Sequence, residues 1–207
     1  LVEQKHDPSR WLDKWQFYLQ APEVFLGDYL PRMALFLSWI MKTGGNILEI
    51  GAGTGRASIL IKRLQPYRQV VAADINPAIC DFICKYARAC NVELEVVQCD
   101  MARLPFPNMV FGAIFSEGVM EHYDDNQIVE MLKEQTRVAE YAMLSVPLDH
   151  FHRAHPNSEY GDERWYNKPT WINILKASGQ ILDLSFTGTI GEDETLWAVV
   201  EAYGRHF

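Results

Sequence analysis

The chain has 207 residues, 48% of them hydrophobic, and 19 Lys and Arg against 27 Asp and Glu give a formal net charge of −8. Such a length and apolar fraction suit one domain with a core covered on both faces of a sheet, and the acidic balance without a basic block lacks the footprint of a nucleic-acid binder. No apolar run approaches the roughly 20 residues of a membrane span and the first residues carry no signal-peptide h-region, so a soluble cytoplasmic protein with no nucleic-acid or membrane partner is expected.

Taken in chain order, residues 10–20 place Trp11, Trp15, Tyr18 and Leu19 at helical spacing, and residues 23–42 continue as a second helix ended by Gly44 and Gly45. Ile47, Leu48 and Ile50 then form the short apolar run of a strand buried on both faces. Gly51, Gly53 and Gly55 follow as G-x-G-x-G, and a helix is predicted over 54–65. Such a strand–glycine–helix junction lets backbone approach a ligand and aims helix amides at it. A dinucleotide fingerprint needs G-x-G-x-x-G. Here Arg56 fills the third glycine's place, and Glu49 sets a negative charge where a pyrophosphate would be repelled, so a ligand with an ammonium or sulfonium group fits better.

Val70–Ala73 reads as a second buried strand ending at Asp74, about 20 residues beyond the glycine turn, where an acidic side chain accepts from ribose hydroxyls. A helix over 77–90 begins with Pro77. Residues 93–98 alternate as a third strand, and Asp100 and Met101 follow at its carboxyl end, the edge where open parallel sheets bind ligands. For either aspartate alone, a capping or turn role is the plainer reading. A fourth strand runs over 110–116, an amphipathic helix over 125–140, a fifth strand over 141–146, a helix over 170–178, and strands over 181–187 and 195–203. Alternating β and α predicts an α/β, doubly wound sheet. Residues 148–168 have no periodic pattern, as in functional lids.

Glu49, Gly51, Gly53 and Gly55 as E-x-G-x-G-x-G after an apolar strand resemble the first motif of class I S-adenosylmethionine-dependent methyltransferases. Leu104-Pro105-Phe106-Pro107 followed by F-x-x-x-x-S-x-G-V-x-E-H from Phe111 to His122 resembles the bacterial small-molecule members of that family. Gly112 departs from it, since the family often has Asp there. The resemblance implies a Rossmann-like, seven-stranded, mostly parallel sheet with its last strand antiparallel, and N-terminal covering helices. One domain would span 1–207, with a helical cover over 1–43, a cofactor core over 44–147, and a lid loop and substrate-side part over 148–207. It implies S-adenosyl-L-methionine as cofactor. The glycine loop would seat the methionine part with Glu49 ordering it, Asp74 would hold the ribose, and Asp100 would reach the adenine amino group while the Met101 backbone contacts the ring. Ile75 and Ser116 would complete the cofactor set.

Methyl transfer from a sulfonium is an in-line displacement, so positioning in a dry pocket matters most and a general base is optional. His122 is the first candidate for substrate contact or base and Glu117 the second; a capping or packing role for His122 is the competing reading. His150, His152 and His155 could face a metal but lack a helical ligand spacing, so no metal is predicted. Tyr160–Tyr166, with its G-D-E-R run, would form one wall of a pocket for a small-molecule acceptor. Trp11, Trp15, Tyr18 and Tyr29 would form the opposite wall, unless the stripe only packs a covering helix. Cys80, Cys84, Cys90 and Cys99 make neither a C-x-x-C pair nor a zinc ribbon, and are expected to be reduced. Two other functions stay open: a non-catalytic protein that binds the cofactor or S-adenosylhomocysteine (SAH) and regulates a partner, and a NAD-dependent oxidoreductase. The acceptor and the oligomeric state are not legible.

Overall fold

The computed structural model describes residues 12–13, 15–27, 30–149, 163–188 and 194–204. Its strands are β1 (Asn46–Ile50), β2 (Val70–Asp74), β3 (Glu95–Gln98), β4 (Phe111–Glu117), β5 (Ala139–Pro147), β6 (Gln180–Thr187) and β7 (Thr195–Glu201). They form one seven-stranded sheet in the order β3-β2-β1-β4-β5-β7-β6, with β7 antiparallel to both of its neighbours. The helices are α1 (Pro22–Gly27), α2 (Ala34–Ile40), α3 (Arg56–Leu64), α4 (Pro77–Ala89), α5 (Asp125–Val138) and α6 (Lys168–Ser178). Two compact units divide the chain, Leu1–Asp100 and Met101–Phe207. Among the described residues no helix is long and apolar enough to cross a membrane.

In the first unit β2 pairs in parallel with β1 and β3, Val71 lying opposite Leu48 and Glu95. All of β2 is buried, as the run of Val and Ala demands of a strand covered on both faces. β3 is shorter than predicted and exposes Glu95 and Gln98, charged and polar groups of the kind that blunt a sheet edge. Asn76 caps α4 by accepting from the Ala78 and Ile79 amides at 2.9 and 3.3 Å, with Pro77 in the first turn, where no amide partner is needed.

The N-terminal segment corrects the predicted helix over 23–42. It is cut into α1, a 3₁₀ turn over Leu30–Met33 and α2, because Gly27 is a poor helix former and Pro31 lacks the amide that a continuous helix would use. Within the predicted helix over 10–20, residues 12, 13 and 15 are helical and a 3₁₀ turn follows over Gln16–Leu19. Trp15 packs on a cluster of Ala52, Ala72, Ile79 and Ile83, its ring centroid 5.9 Å from that of Phe82, and Tyr18 lies 6.1 Å from Tyr86. These two aromatics therefore cover α4; Trp11 and Tyr29 lie outside the described residues.

In the second unit β4 and β5 run parallel, and β7 inserts between β5 and β6. Gly112 lies inside β4. Asp124 and Gln127 close a capping box at the start of α5, and Asn167 caps α6 through the Thr170 amide at 3.0 Å. Arg137, at the other end of α5, pairs with Glu134 at 2.7 Å and donates to the Leu104 and Phe106 carbonyls, which pins the L-P-F-P segment. At Gly179 a Cβ would fall 2.2 Å from the Glu201 carbonyl oxygen, so the turn into β6 has room for glycine alone.

Candidate functional site

At the carboxyl end of β1 the chain turns through Gly51, Gly53 and Gly55, whose φ angles of 64°, 53° and 72° all lie in the left-handed region. A side chain there would be strained. Gly55 is closed in from the side as well, since a Cβ would meet Ile83 Cγ2 at 2.7 Å. This conformation also delays α3, which starts at Arg56 rather than at the predicted residue 54. The loop is fastened by backbone: the Gly55 amide donates to the Ala52 carbonyl at 2.8 Å and the Ala52 amide to the Ala73 carbonyl at 3.0 Å. Trp15 lies against Gly53, its Cη2 3.4 Å from the position of an added Cβ. Arg56 carries its guanidinium 4.6 Å above the Tyr18 ring and donates from Nε to Thr54 Oγ1 at 3.2 Å.

Glu49 does not face the open turn. It is 5% exposed, and its Oε2 accepts from the Ser58 amide at 2.9 Å and the Ser58 hydroxyl at 2.6 Å, tying β1 to the first turn of α3. Burial pushes its carboxyl up to about 7, against the lowering effect of the Ser58 bonds. Glu49 thus orders the loop by holding Ser58, a partner that spacing alone does not reveal. A carboxyl raised in the folded state binds its proton more tightly there than in the unfolded chain, so stability is fullest below the ordinary carboxyl range and is lost as pH rises through about 7. Glu49→Gln should flatten that decline by on the order of 1–3 kcal/mol between pH 5 and 8 in denaturant titrations. An unaltered slope would remove Glu49 as its source.

Asp74, at the end of β2, is 8% exposed and accepts with one oxygen each from Gly53 N at 3.2 Å and Asn76 N at 3.0 Å. It joins the β2 terminus to the glycine loop. Burial raises its carboxyl above the ordinary range, with the amide bonds of Asn76, Gly53 and Ile75 opposing. With three amides bonded, one of the carboxylate's four lone-pair sites is left for a ligand hydroxyl. Ile75 leaves 42% of its surface exposed at the same strand end. The Cys99 amide donates to the Asp74 carbonyl at 3.0 Å, which brings the half-buried Asp100 alongside. Glu49, the three glycines, Asp74, Ile75 and Asp100 are thus gathered at neighbouring strand ends of the first unit. The four cysteines are free thiols.

In the second unit Met101 is buried, and Ser116, near the carboxyl end of β4, is 1% exposed with a hydroxyl that has no hydrogen-bond partner among the described residues. Glu117 ends β4 half-buried, and burial pushes its carboxyl up to about 7. His122 closes a 3₁₀ turn over Met120–His122. Glu121 and Glu163 approach it, each of the three offering a ligand-type atom within 4.8 Å of the other two. The Arg164 amide donates to the Glu121 carbonyl at 2.8 Å and holds this arrangement. Sequence reading passed over Glu121 and Glu163 as site residues; the signal was there in the E-H pair and in the G-D-E-R run. The histidines at 150, 152 and 155, and the aromatic wall as far as residue 162, lie outside the described residues.

The methyltransferase-domain family model matches residues 47–141. A demethylmenaquinone methyltransferase from Thermus thermophilus is 32% identical over 73 residues, 35% of this chain and 33% of that protein. A malonyl-[acyl-carrier protein] O-methyltransferase from Xylella fastidiosa is 32% identical over 101 residues, 49% of this chain and 30% of that protein. A probable tRNA methyltransferase 9B from Bos taurus is 32% identical over 110 residues, 52% and 22% of the two chains. The chain spans about a third or less of the length of these relatives. Among solved structures, magnesium protoporphyrin IX methyltransferase from Synechocystis with bound SAH superposes with a TM-score of 0.66 at 16% identity, covering 86% of this chain and 83% of that one. Over residues 47–141 the chain is therefore similar to methyltransferase domains, and it shares the fold of a solved methyltransferase.

Proposed function

We propose that the protein transfers a methyl group from S-adenosyl-L-methionine to a small-molecule acceptor. The observation that carries the reading is the glycine loop inside the matched domain, left-handed at three positions and joined through Gly53 to Asp74. When bound, the cofactor supplies a methyl group activated by a sulfonium. The chain's part is to hold and orient it. Gly51, Gly53 and Gly55 floor the methionine part with Glu49 keeping their geometry, Asp74 accepts from the ribose, and Ile75 covers one face of the adenine with Asp100 at its amino group. Met101 is assigned to the ring by its backbone, and Ser116 contributes a buried hydroxyl with no partner among the described residues, as suits a group that meets a ligand. His122 takes the acceptor's proton, with Glu117, raised to about 7, as the second candidate base.

The small-molecule acceptor is supported by the quinone, acyl-carrier and porphyrin substrates in the relatives' names and by the net charge of −8, which disfavours a polyanion. SAH formation measured with a panel of phenols, carboxylic acids and amines, and with unmodified tRNA as a separate arm, tests it. Turnover with tRNA alone would overturn the acceptor class, and SAH binding with no turnover on any arm would favour a regulatory binding protein. His122→Ala should lower turnover by about 10²–10⁴-fold, the usual contribution of general acid–base catalysis, while SAH affinity stays within a factor of about two. Full activity would take His122 out of the site.

A further inference from the structure

We propose that Glu121, His122 and Glu163 form a binding site for a divalent first-row transition-metal ion. Their three ligand-type atoms all lie within 4.8 Å of one another. An ion bound at about 2.0–2.2 Å in a tetrahedral site holds neighbouring ligand atoms about 3.3–3.6 Å apart, so side-chain rotations that draw the three atoms inward close the set on one centre. Glu121 is 2% exposed, and Oε2 of Glu121 and Oε2 of Glu163 are both shielded from solvent. Two carboxyl groups and one imidazole brought together from separate segments make a donor set of the kind that holds a divalent ion. One nitrogen and two oxygen donors suit Zn²⁺, Mn²⁺ or Fe²⁺, whereas Ca²⁺ and Mg²⁺ favour oxygen alone.

The second unit assembles these groups from distant parts of the sequence. Arg164 N is bonded to Glu121 O, Asp149 N donates to Tyr166 O at 3.1 Å, and the Tyr166 hydroxyl is bonded to Asp125. The chain re-entering at residue 163 is thereby laced to the turn that bears His122. Three protein ligands leave coordination positions for an acceptor oxygen, the arrangement of catalytic metal sites. That last role rests on the proposed methyl transfer, although ion binding itself does not. An imidazole nitrogen that binds the ion cannot also accept a proton, so this role for His122 excludes the one as base, and Glu117 would then take that part; the ion titration decides between the two.

The full chain, stripped with a chelator, is titrated with Mn²⁺ followed by electron paramagnetic resonance and with Zn²⁺ followed by calorimetry. SAH is titrated into the same preparations. The site predicts one ion per chain, with affinity falling tenfold or more in Glu163→Gln and in Glu121→Gln. Glu163→Gln decides if the buried Glu121 variant fails to fold by circular dichroism. No saturable binding, or wild-type affinity in Glu163→Gln, overturns the proposal. Ion binding without SAH binding would keep this site and sink the cofactor reading, and the converse result would do the reverse.

Discussion

Gly55→Ala should destabilise the protein by about 2–5 kcal/mol, combining about 1–2 kcal/mol for a left-handed non-glycine residue with about 1–3 kcal/mol for overpacking. The first cost follows from φ of 72°, the second from an added Cβ 2.7 Å from Ile83 Cγ2 and 3.3 Å from its Cγ1. A double-mutant cycle separates them. Ile83 is fully buried, so Ile83→Ala alone should cost about 2–5 kcal/mol by leaving a cavity. Combined with Gly55→Ala it should cost less than the sum of the two, because the new methyl occupies part of the space that the isoleucine vacated, while the backbone strain remains. Urea midpoints of the four proteins measure this. Strict additivity would mean that Ile83 is not what crowds Gly55, and an unperturbed single Gly55→Ala variant would contradict the left-handed loop itself.

Asp74→Ala should weaken SAH binding by about 1–3 kcal/mol, or roughly 5–150-fold, the usual cost of losing charge-assisted hydrogen bonds. Two effects act together. The Gly53 amide loses Oδ2 and the Asn76 amide loses Oδ1, so the loop is no longer fastened to β2, and the ribose loses its acceptor. Asp74→Asn divides them, because its one carbonyl oxygen can serve one amide while its NH₂ group faces the other. Its affinity should fall between wild type and Asp74→Ala. Wild-type affinity in the alanine variant would reject the ribose role.

These two positions were legible in the sequence for a physical reason. A strand buried on both faces reads as an unbroken apolar run, so β1, β2 and β4 announced themselves, and only glycine tolerates the turn that β1 feeds. Asp74 followed from its distance to that turn. Other features depend on contacts that no local pattern encodes. Apolar spacing over 23–42 outweighed Gly27 and Pro31, although the backbone obeys the latter two. The partner of Glu49 is Ser58, one turn into α3, and nothing in E-x-G-x-G-x-G marks it. Glu121 and Glu163 come together where the Arg164 amide meets the Glu121 carbonyl and Tyr166 is bonded to Asp149 and Asp125, contacts between segments with no common motif.

The central claim is that the glycine loop and its acidic neighbours bind a sulfonium nucleoside, and calorimetric titration of the purified chain with SAH tests it most directly. One saturable site is expected, absent in Gly55→Ala, with SAH at a hundred times its dissociation constant raising stability by about 2.7 kcal/mol. No heat and no thermal shift with SAH, or a shift with NAD alone, would contradict it.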